Sequence, residues 1–449
     1  MTGDAEPSAR RLLAYALPAL PLAILSLPFY VLVPAYYAAG LALPIAAVGQ
    51  TLMWVRVMDA VSDPIVGALA DRFRPRFGRR RLWVALATPF VVIAAWGVFA
   101  PPASAGLWHL FGWGAALSIA WTAVQIPYGA WGAELSRSYA GRNRVTAYRE
   151  ALTVAGALLA LTLPALLPRF GVEGDGAVLA AFAAIVAVAL PLGTATAVLV
   201  VPEPVERSRE TAGWREGLAG LAANLPFRRL LVAFLINGLA NGLPATLFLF
   251  FVRFRLDAAD AAGPLLVLYF LAGVAGVPGW LWLARRTSKH RAWCWGMMLA
   301  CAAFSVAPWL GSGDVAAFAA VTLVTGLALG ADVILPASMQ ADVIDVDTAR
   351  SGQERTGVYL AFWALATKLA LAGAVGVAFP ILGAAGFDAA LGSGNPPSSL
   401  ATLAFLYAGL PVLLKLVAIG LVWRFPLDAQ AHAQLRRAIE AARERATPP

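Results

Sequence analysis

Cysteine, histidine and charge are what this chain of 449 residues has least of: two Cys, three His, and 13% Asp, Glu, Lys and Arg together. Cys294 and Cys301 lie seven residues apart in one apolar stretch and read as packing residues. No metal-ligand set can be assembled from them and three scattered histidines. There is no Walker loop and no glycine-rich strand-to-helix turn, which removes nucleotide binding of those kinds. A nucleophile motif and a His-rich cluster are also missing, so an enzyme would have no catalytic set to work with. A soluble domain carries about 25% charged residues, and half that fraction is too little for an ordinary water-facing surface. The net charge of +9 does not indicate nucleic acid, because the arginines gather in short loops between apolar runs.

What fills the chain instead is 60% hydrophobic residues, with 15 Trp, 22 Phe, 41 Gly and 30 Pro, a composition suited to helices in lipid. Crossing about 30 Å of hydrocarbon takes roughly 20 apolar residues. Twelve such segments can be read. The first six lie near residues 12–35, 43–70, 82–99, 107–128, 146–167 and 178–200. The second six lie near 230–252, 264–284, 292–310, 315–337, 357–382 and 401–423. The polar start MTGDAEPSARR reads as a tail and not as a cleaved signal, since the apolar run behind it is too long for a signal core. The expected organisation is an N-terminal six-helix bundle over 1–200, a cytoplasmic linker over 201–229, a C-terminal six-helix bundle over 230–424 and a cytoplasmic tail over 425–449.

Loop charge supports the count. Six arginines in residues 72–81, then Arg137, Arg142, Arg144 and Arg149, the linker arginines, Arg285, Arg286, Lys289 and Arg291, and finally Arg350, Arg355 and Arg424 fall on one side. The other side has chiefly Arg169, Arg253 and Arg255. This alternation puts both termini in the cytoplasm, and the expected location is a bacterial inner membrane crossed many times. Two halves of this kind bind solute near the midplane and expose it alternately to each side. A monomer is expected.

The chemistry centres on WVRVMDAVSDPIVGALADRFRPRFGRRR, residues 54–81. Asp59 and Asp63 are four apart, so a helix stacks them on one face, with Ser62 beside them and Arg56 one turn below. Two carboxylates inside a membrane helix are costly unless they meet a cavity, a cation or a partner. A coupling-ion site for Na⁺ or H⁺ is one reading, and a structural ion pair to Arg56 or to an arginine of the fifth span is the other. With one compensating arginine the pair keeps a formal charge of about −1, suited to one monovalent cation. Ser62 and a hydroxyl from a neighbouring helix would complete an oxygen shell. In the fourth span Thr122 and Gln125 share a side and are candidates for that helix, against a plain helix–helix hydrogen bond. Trp121 and Tyr128 could wall a solute site or anchor at the interface.

Asn237 and Asn241 of the seventh span read either as a polar notch facing solute or as part of a packing face through Gly238 and Gly242. Lys368, deep in the eleventh span, is either a switch element for the acid pair or a snorkelling lysine. Lys415 draws the same reading with less weight, and Asp332 either faces a cavity or marks a helix break. After the second span, Gly67 would allow close helix approach and Asp71 would end the helix. Arg72, Arg79 and the other loop arginines would then pair with Glu134 and Asp342 to hold the cytoplasmic side shut. Anionic lipid is the competing partner.

Three stretches carry a resemblance: DAVSDPIVGALADRFRPRFGRRR; IPYGAWGAEL with RNRVTAYR; and ADVILPASMQADVIDVDTARSGQERTGVYLAFWALATKLALA. Together they closely resemble the glycoside–pentoside–hexuronide:cation symporters, the melibiose permease family of the major facilitator superfamily. The resemblance covers essentially the whole chain. It implies an all-α polytopic membrane protein with the major facilitator fold, twelve transmembrane helices in two six-helix bundles. It also implies symport of a sugar or related small polar solute with Na⁺ or H⁺, and no cofactor. Asp59 and Asp63 match the family's cation-coordinating aspartates, Thr122 its fourth-helix hydroxyl ligand, and Lys368 its eleventh-helix lysine. The family's sugar-binding carboxylates are not matched. The first helix, LLAYALPALPLAILSLPFYVLV, has no acid, and Gln125 replaces the acid of the fourth, losing a charge-assisted contact. A uronate would need a cation, for which Arg56, Arg149 and Lys368 are candidates. The apolar first helix favours the alternative, a carrier or exporter of an amphipathic or non-sugar solute, a task that related lysolipid carriers perform on the same frame.

Overall fold

The computed structural model describes residues 7–72, 79–136, 139–203, 220–351 and 356–427. These residues form long helices joined by short turns. In lipid each backbone N–H and C=O must be satisfied within its own segment, so runs of Ala, Leu and Val fold this way. The helices are α1 (Ala9–Gly40), α2 (Ile45–Arg72), α3 (Arg79–Phe99), α4 (Leu107–Glu134), α5 (Tyr139–Leu166) and α6 (Asp175–Val200). They continue as α7 (Leu225–Arg255), α8 (Ala262–Arg286), α9 (Lys289–Phe304), α10 (Val315–Ser351), α11 (Thr356–Ala384) and α12 (Pro397–Val422). Among the described residues, ten helices are long and apolar enough to cross a membrane. The other two, α2 and α5, have 28 residues each and carry Arg56, Asp59 and Asp63 or Arg149 and Glu150. The protein is an all-α, multi-pass integral membrane protein.

Surface composition agrees. Phe90 is 66% exposed, Trp108 86% and Leu199 81%, values that water would punish and lipid does not. Leu69, Leu86, Phe90 and Ile119 help line an apolar groove of about 610 Å³ between α2, α3 and α4. Wide π turns interrupt α1 at Pro28–Leu32 and Tyr36–Gly40, α7 at Phe251–Arg255 and α12 at Phe405–Gly409.

By packing, the chain divides into two units, Met1–Ser208 with Val375–Asn395, and Arg209–Ala374 with Pro396–Pro449. Inside the first unit α2 and α3 pack on α4, α3 on α6, and α1 on α5 and α6. Inside the second, α8 and α9 pack on α10, α9 on α12, and α7 on α12. Adding six to the helix numbers of α2–α4, α3–α4, α3–α6 and α1–α6 gives the four pairs of the second, a repeat that is not obvious in the sequence. Small residues set the closest approaches. A Cβ on Gly156 of α5 would lie 2.3 Å from the Leu20 carbonyl oxygen of α1. One on Gly242 of α7 would lie 2.8 Å from Cβ of Ala374. The last part of α11 belongs with the first unit because Gly376 and Gly383 let it lie against Met53 and Ala46 of α2. Gly67, expected to permit close approach, does not. A Cβ there would meet Ile126 at 3.9 Å, an ordinary contact.

Candidate ion and solute sites

In the first unit α2 brings Asp59 and Asp63 onto one face, as their spacing requires, and α4 supplies the hydroxyl between them. Thr122, 5% exposed, places Oγ1 3.1 Å from Asp59 Oδ1 and 2.9 Å from Asp63 Oδ1, donating toward both. Gly114, two turns earlier in α4, lets the two helices approach: a Cβ there would lie 3.2 Å from Val55 of α2. A hydroxyl has one hydrogen, so two carboxylate oxygens converge on a single donor. Arg56, next to Val55, is 6% exposed and interacts electrostatically with Asp59. Its guanidinium lies over the Tyr30 ring, 4.8 Å from the centroid. The Ser62 hydroxyl donates to the Asp59 backbone carbonyl at 2.9 Å, which leaves its oxygen lone pairs as acceptors. A Ser hydroxyl within a helix reaches the carbonyl of the previous turn more readily than a neighbouring side chain.

Beside Thr122, at the adjacent position in α4, Trp121 meets two aromatic residues of α1. Trp121 stacks on Tyr30 at 6.3 Å and meets Phe29 edge-on at 6.5 Å, while Gln125 is exposed one turn further along α4. Tyr128 does not belong to this aromatic group. It is 2% exposed, donates to the Tyr15 carbonyl at 2.7 Å, and receives the Tyr15 hydroxyl on its own carbonyl at 3.0 Å. This reciprocal pair fastens α1 to α4 and leaves no hydroxyl for solute. Arg149 is half-buried, pairs with Glu150 at 2.7 Å, and lies close enough to Tyr15 and Tyr128 to act on both electrostatically.

A second polar centre, hardly visible in the sequence, lies in the second unit. Asp332 of α10 accepts from Asn237 Nδ2 at 3.0 Å and Trp293 Nε1 at 2.6 Å on one oxygen. Its other oxygen accepts from Asn241 Nδ2 at 3.0 Å and Lys415 Nζ at 3.2 Å. Lys415, 1% exposed, also donates to Asn237 Oδ1 at 2.8 Å. Asn237 and Asn241 are therefore not an open notch for solute. They clamp a buried ion pair across α7, α9, α10 and α12, as the cost of burying a lone charge demands. Lys368 is a half-buried residue of α11.

Of the expected gate, the side chains of Asp71, Arg72 and Arg79 lie outside the described residues. Arg80, at the head of α3, pairs with Glu134 of α4 at 2.9 Å. Asp342 pairs with Lys289 at 2.6 Å, within the second unit. Sequence reasoning missed Glu203, whose carboxylate accepts the backbone N–H groups of Arg80 at 2.7 Å and Arg81 at 3.1 Å. Three arginines opening a helix with no acid in its first turn was the available signal, because a helix N-terminus attracts an anion.

Comparison with known proteins bears on the cargo. The chain is 26% identical to an uncharacterized symporter of Synechocystis sp., covering 92% of this chain and 93% of that one. It is also 26% identical to the sodium-dependent lysophosphatidylcholine symporter 1 of Mus musculus, over 87% of this chain and 80% of that one. The crystal structure of a bacterial homolog of the human lysosomal transporter Spinster superposes with a TM-score of 0.65 at 14% identity, covering 97% of this chain and 98% of that one. The expected sugar-like polar solute is corrected by the lysophosphatidylcholine symporters. The reason was present in α1, which has no acid to grip hydroxyls, and in neutral Gln125. Residues 14–429 match the family described as MFS/sugar transport protein, and the chain belongs to that family, with a transporter fold of the major facilitator superfamily.

Proposed function

We propose that this protein is a sodium-coupled carrier of an amphipathic, lipid-like solute, a single-chain lipid with a polar head. The observation that carries the reading is the Thr122 hydroxyl set between Asp59 and Asp63, where two acids converge on one hydrogen. Sodium accepts such oxygens from carboxylate and hydroxyl ligands, and the sodium-dependent lysophosphatidylcholine symporters favour it over a proton. The ion ligands follow the pattern of the glycoside–pentoside–hexuronide:cation symporters, while the solute side has lost that family's acids. Trp121, Tyr30 and Gln125 form the solute-facing wall of the first unit, and Arg149, held by Glu150 at 2.7 Å, exchanges that carboxylate for a phosphate-bearing head. On this reading all twelve helices span the membrane as two six-helix bundles joined by residues 201–229, with both termini in the cytoplasm of a bacterial inner membrane. The arginine distribution supports that orientation.

Proteoliposomes with an imposed Na⁺ or H⁺ gradient test it, using a labelled lysophospholipid and a labelled galactoside. Lysophospholipid accumulation driven by Na⁺, and lost in Asp59→Asn and Asp63→Asn, is the expected result. Accumulation indifferent to both substitutions would remove the ion site, and galactoside accumulation would overturn the solute assignment.

A further inference from the structure

At one end of the second unit, where α8 ends, α9 begins and α12 ends, lies a cavity of about 440 Å³. Its wall combines Ser288, His290 and Arg291 from the start of α9 with Trp423, Arg424 and Phe425 after α12, and none of the lining residues is acidic. Ser288 caps α9 by accepting the Arg291 N–H at 3.3 Å, and the first turn has no acid to offset the positive end of the 16-residue helix. Lys289 in the same turn is engaged by Asp342 at 2.6 Å. Arg229 is spent on backbone carbonyls, those of Leu421 and, at 3.1 Å, Arg424, which fixes the path of the chain at Arg424. The guanidinium groups of Arg291 and Arg424 are both exposed, and among the described residues neither meets a carboxylate. Two arginines, a helix N-terminus and a serine thus surround one hollow from which acids are missing.

Its level in the membrane narrows the ligand. Trp423, on the rim, stands edge-on to Trp295 at 6.2 Å, and nearby Arg286 covers the Trp282 ring at 4.9 Å. Tryptophans paired with arginine in this way mark the water–hydrocarbon interface, the depth of lipid phosphates. Buried His290, 7% exposed and tilted against Phe425 at 6.2 Å, closes the floor. We infer that this hollow is a phosphate-binding site, in which Arg291 and Arg424 grip the oxygens of a phosphate ester or free phosphate over the start of α9. Guanidinium forks suit such oxygens better than any other side chain does. The site is separate from the ion and solute residues of the first unit and does not depend on the transport reading.

The test is thermal unfolding of the full chain in a phosphate-free maltoside detergent. Inorganic phosphate, short-chain phosphatidic acid and short-chain phosphatidylcholine are each compared with chloride at matched ionic strength. At least one phosphate-bearing probe should raise the midpoint in the wild type and in R285Q/R286Q, which removes equal charge outside the cavity. In R291Q/R424Q its apparent affinity should fall at least tenfold, with an intermediate loss in R424Q alone. A shift with inorganic phosphate identifies the free ion as sufficient, and a shift with the lipids alone identifies a bilayer headgroup. No shift with any probe, or an undiminished shift in R291Q/R424Q, would overturn the site.

Discussion

At the scale of single residues the decisive group is Thr122. Its hydroxyl lies within 3.1 Å of both acids, so it is the link through which α4 reports on the charge of α2. Thr122→Ala should weaken Na⁺ binding about 10- to 150-fold, since a hydrogen bond to a charged group contributes roughly 1.5–3 kcal/mol. Thr122→Ser should keep most of the affinity. Sodium titration followed by Trp fluorescence distinguishes them, and equal affinities in the two variants would remove Thr122 from the site. Ser62→Ala should change the same titration less than Thr122→Ala, because the Ser62 hydroxyl gives its hydrogen to a backbone carbonyl and not to a carboxylate.

Between elements, the Asp332–Lys415 pair sets the strongest expectation. Four donors on one buried carboxylate tie α7, α9, α10 and α12 together, so removing one charge strands the other in hydrocarbon. Asp332→Asn or Lys415→Met alone should cost about 3–5 kcal/mol, and the double variant should recover most of it. Thermal unfolding of the three variants provides the comparison. A double variant as unstable as the singles would mean that the pair's charges are not what holds these helices. Glu203 acts on a smaller scale by closing the N-terminus of α3, and Glu203→Ala should cost about 1 kcal/mol.

For the molecule as a whole the claim is topological. If all twelve helices cross, the two ends emerge on one face. Protease sites appended to either end should then be cut together in inside-out vesicles and protected together in right-side-out ones. Cleavage of one without the other would remove an even number of crossings. The repeated helix pairing supports the even count: α2–α4, α3–α4, α3–α6 and α1–α6 recur as α8–α10, α9–α10, α9–α12 and α7–α12.

Much of this was legible beforehand because it is local. Apolar run length determined that the chain is helical and belongs in lipid, since a single apolar segment of about 20 residues satisfies its backbone hydrogen bonds internally only as a helix. A spacing of four determined that Asp59 and Asp63 share a face, and loop arginines supply the orientation expected for the chain. Which helices meet is not local. Asn237, Asn241, Trp293, Asp332 and Lys415 lie on four helices far apart in sequence, and only helix packing, such as Gly296 of α9 against Ala331 of α10, decided that they converge. The same holds for Tyr128, whose type suits a solute wall but whose partner, Tyr15, turns it into a fastening of α1. Helical periodicity sets the direction of a side chain around its own axis, whereas the neighbour it meets follows from the three-dimensional fit of helix surfaces.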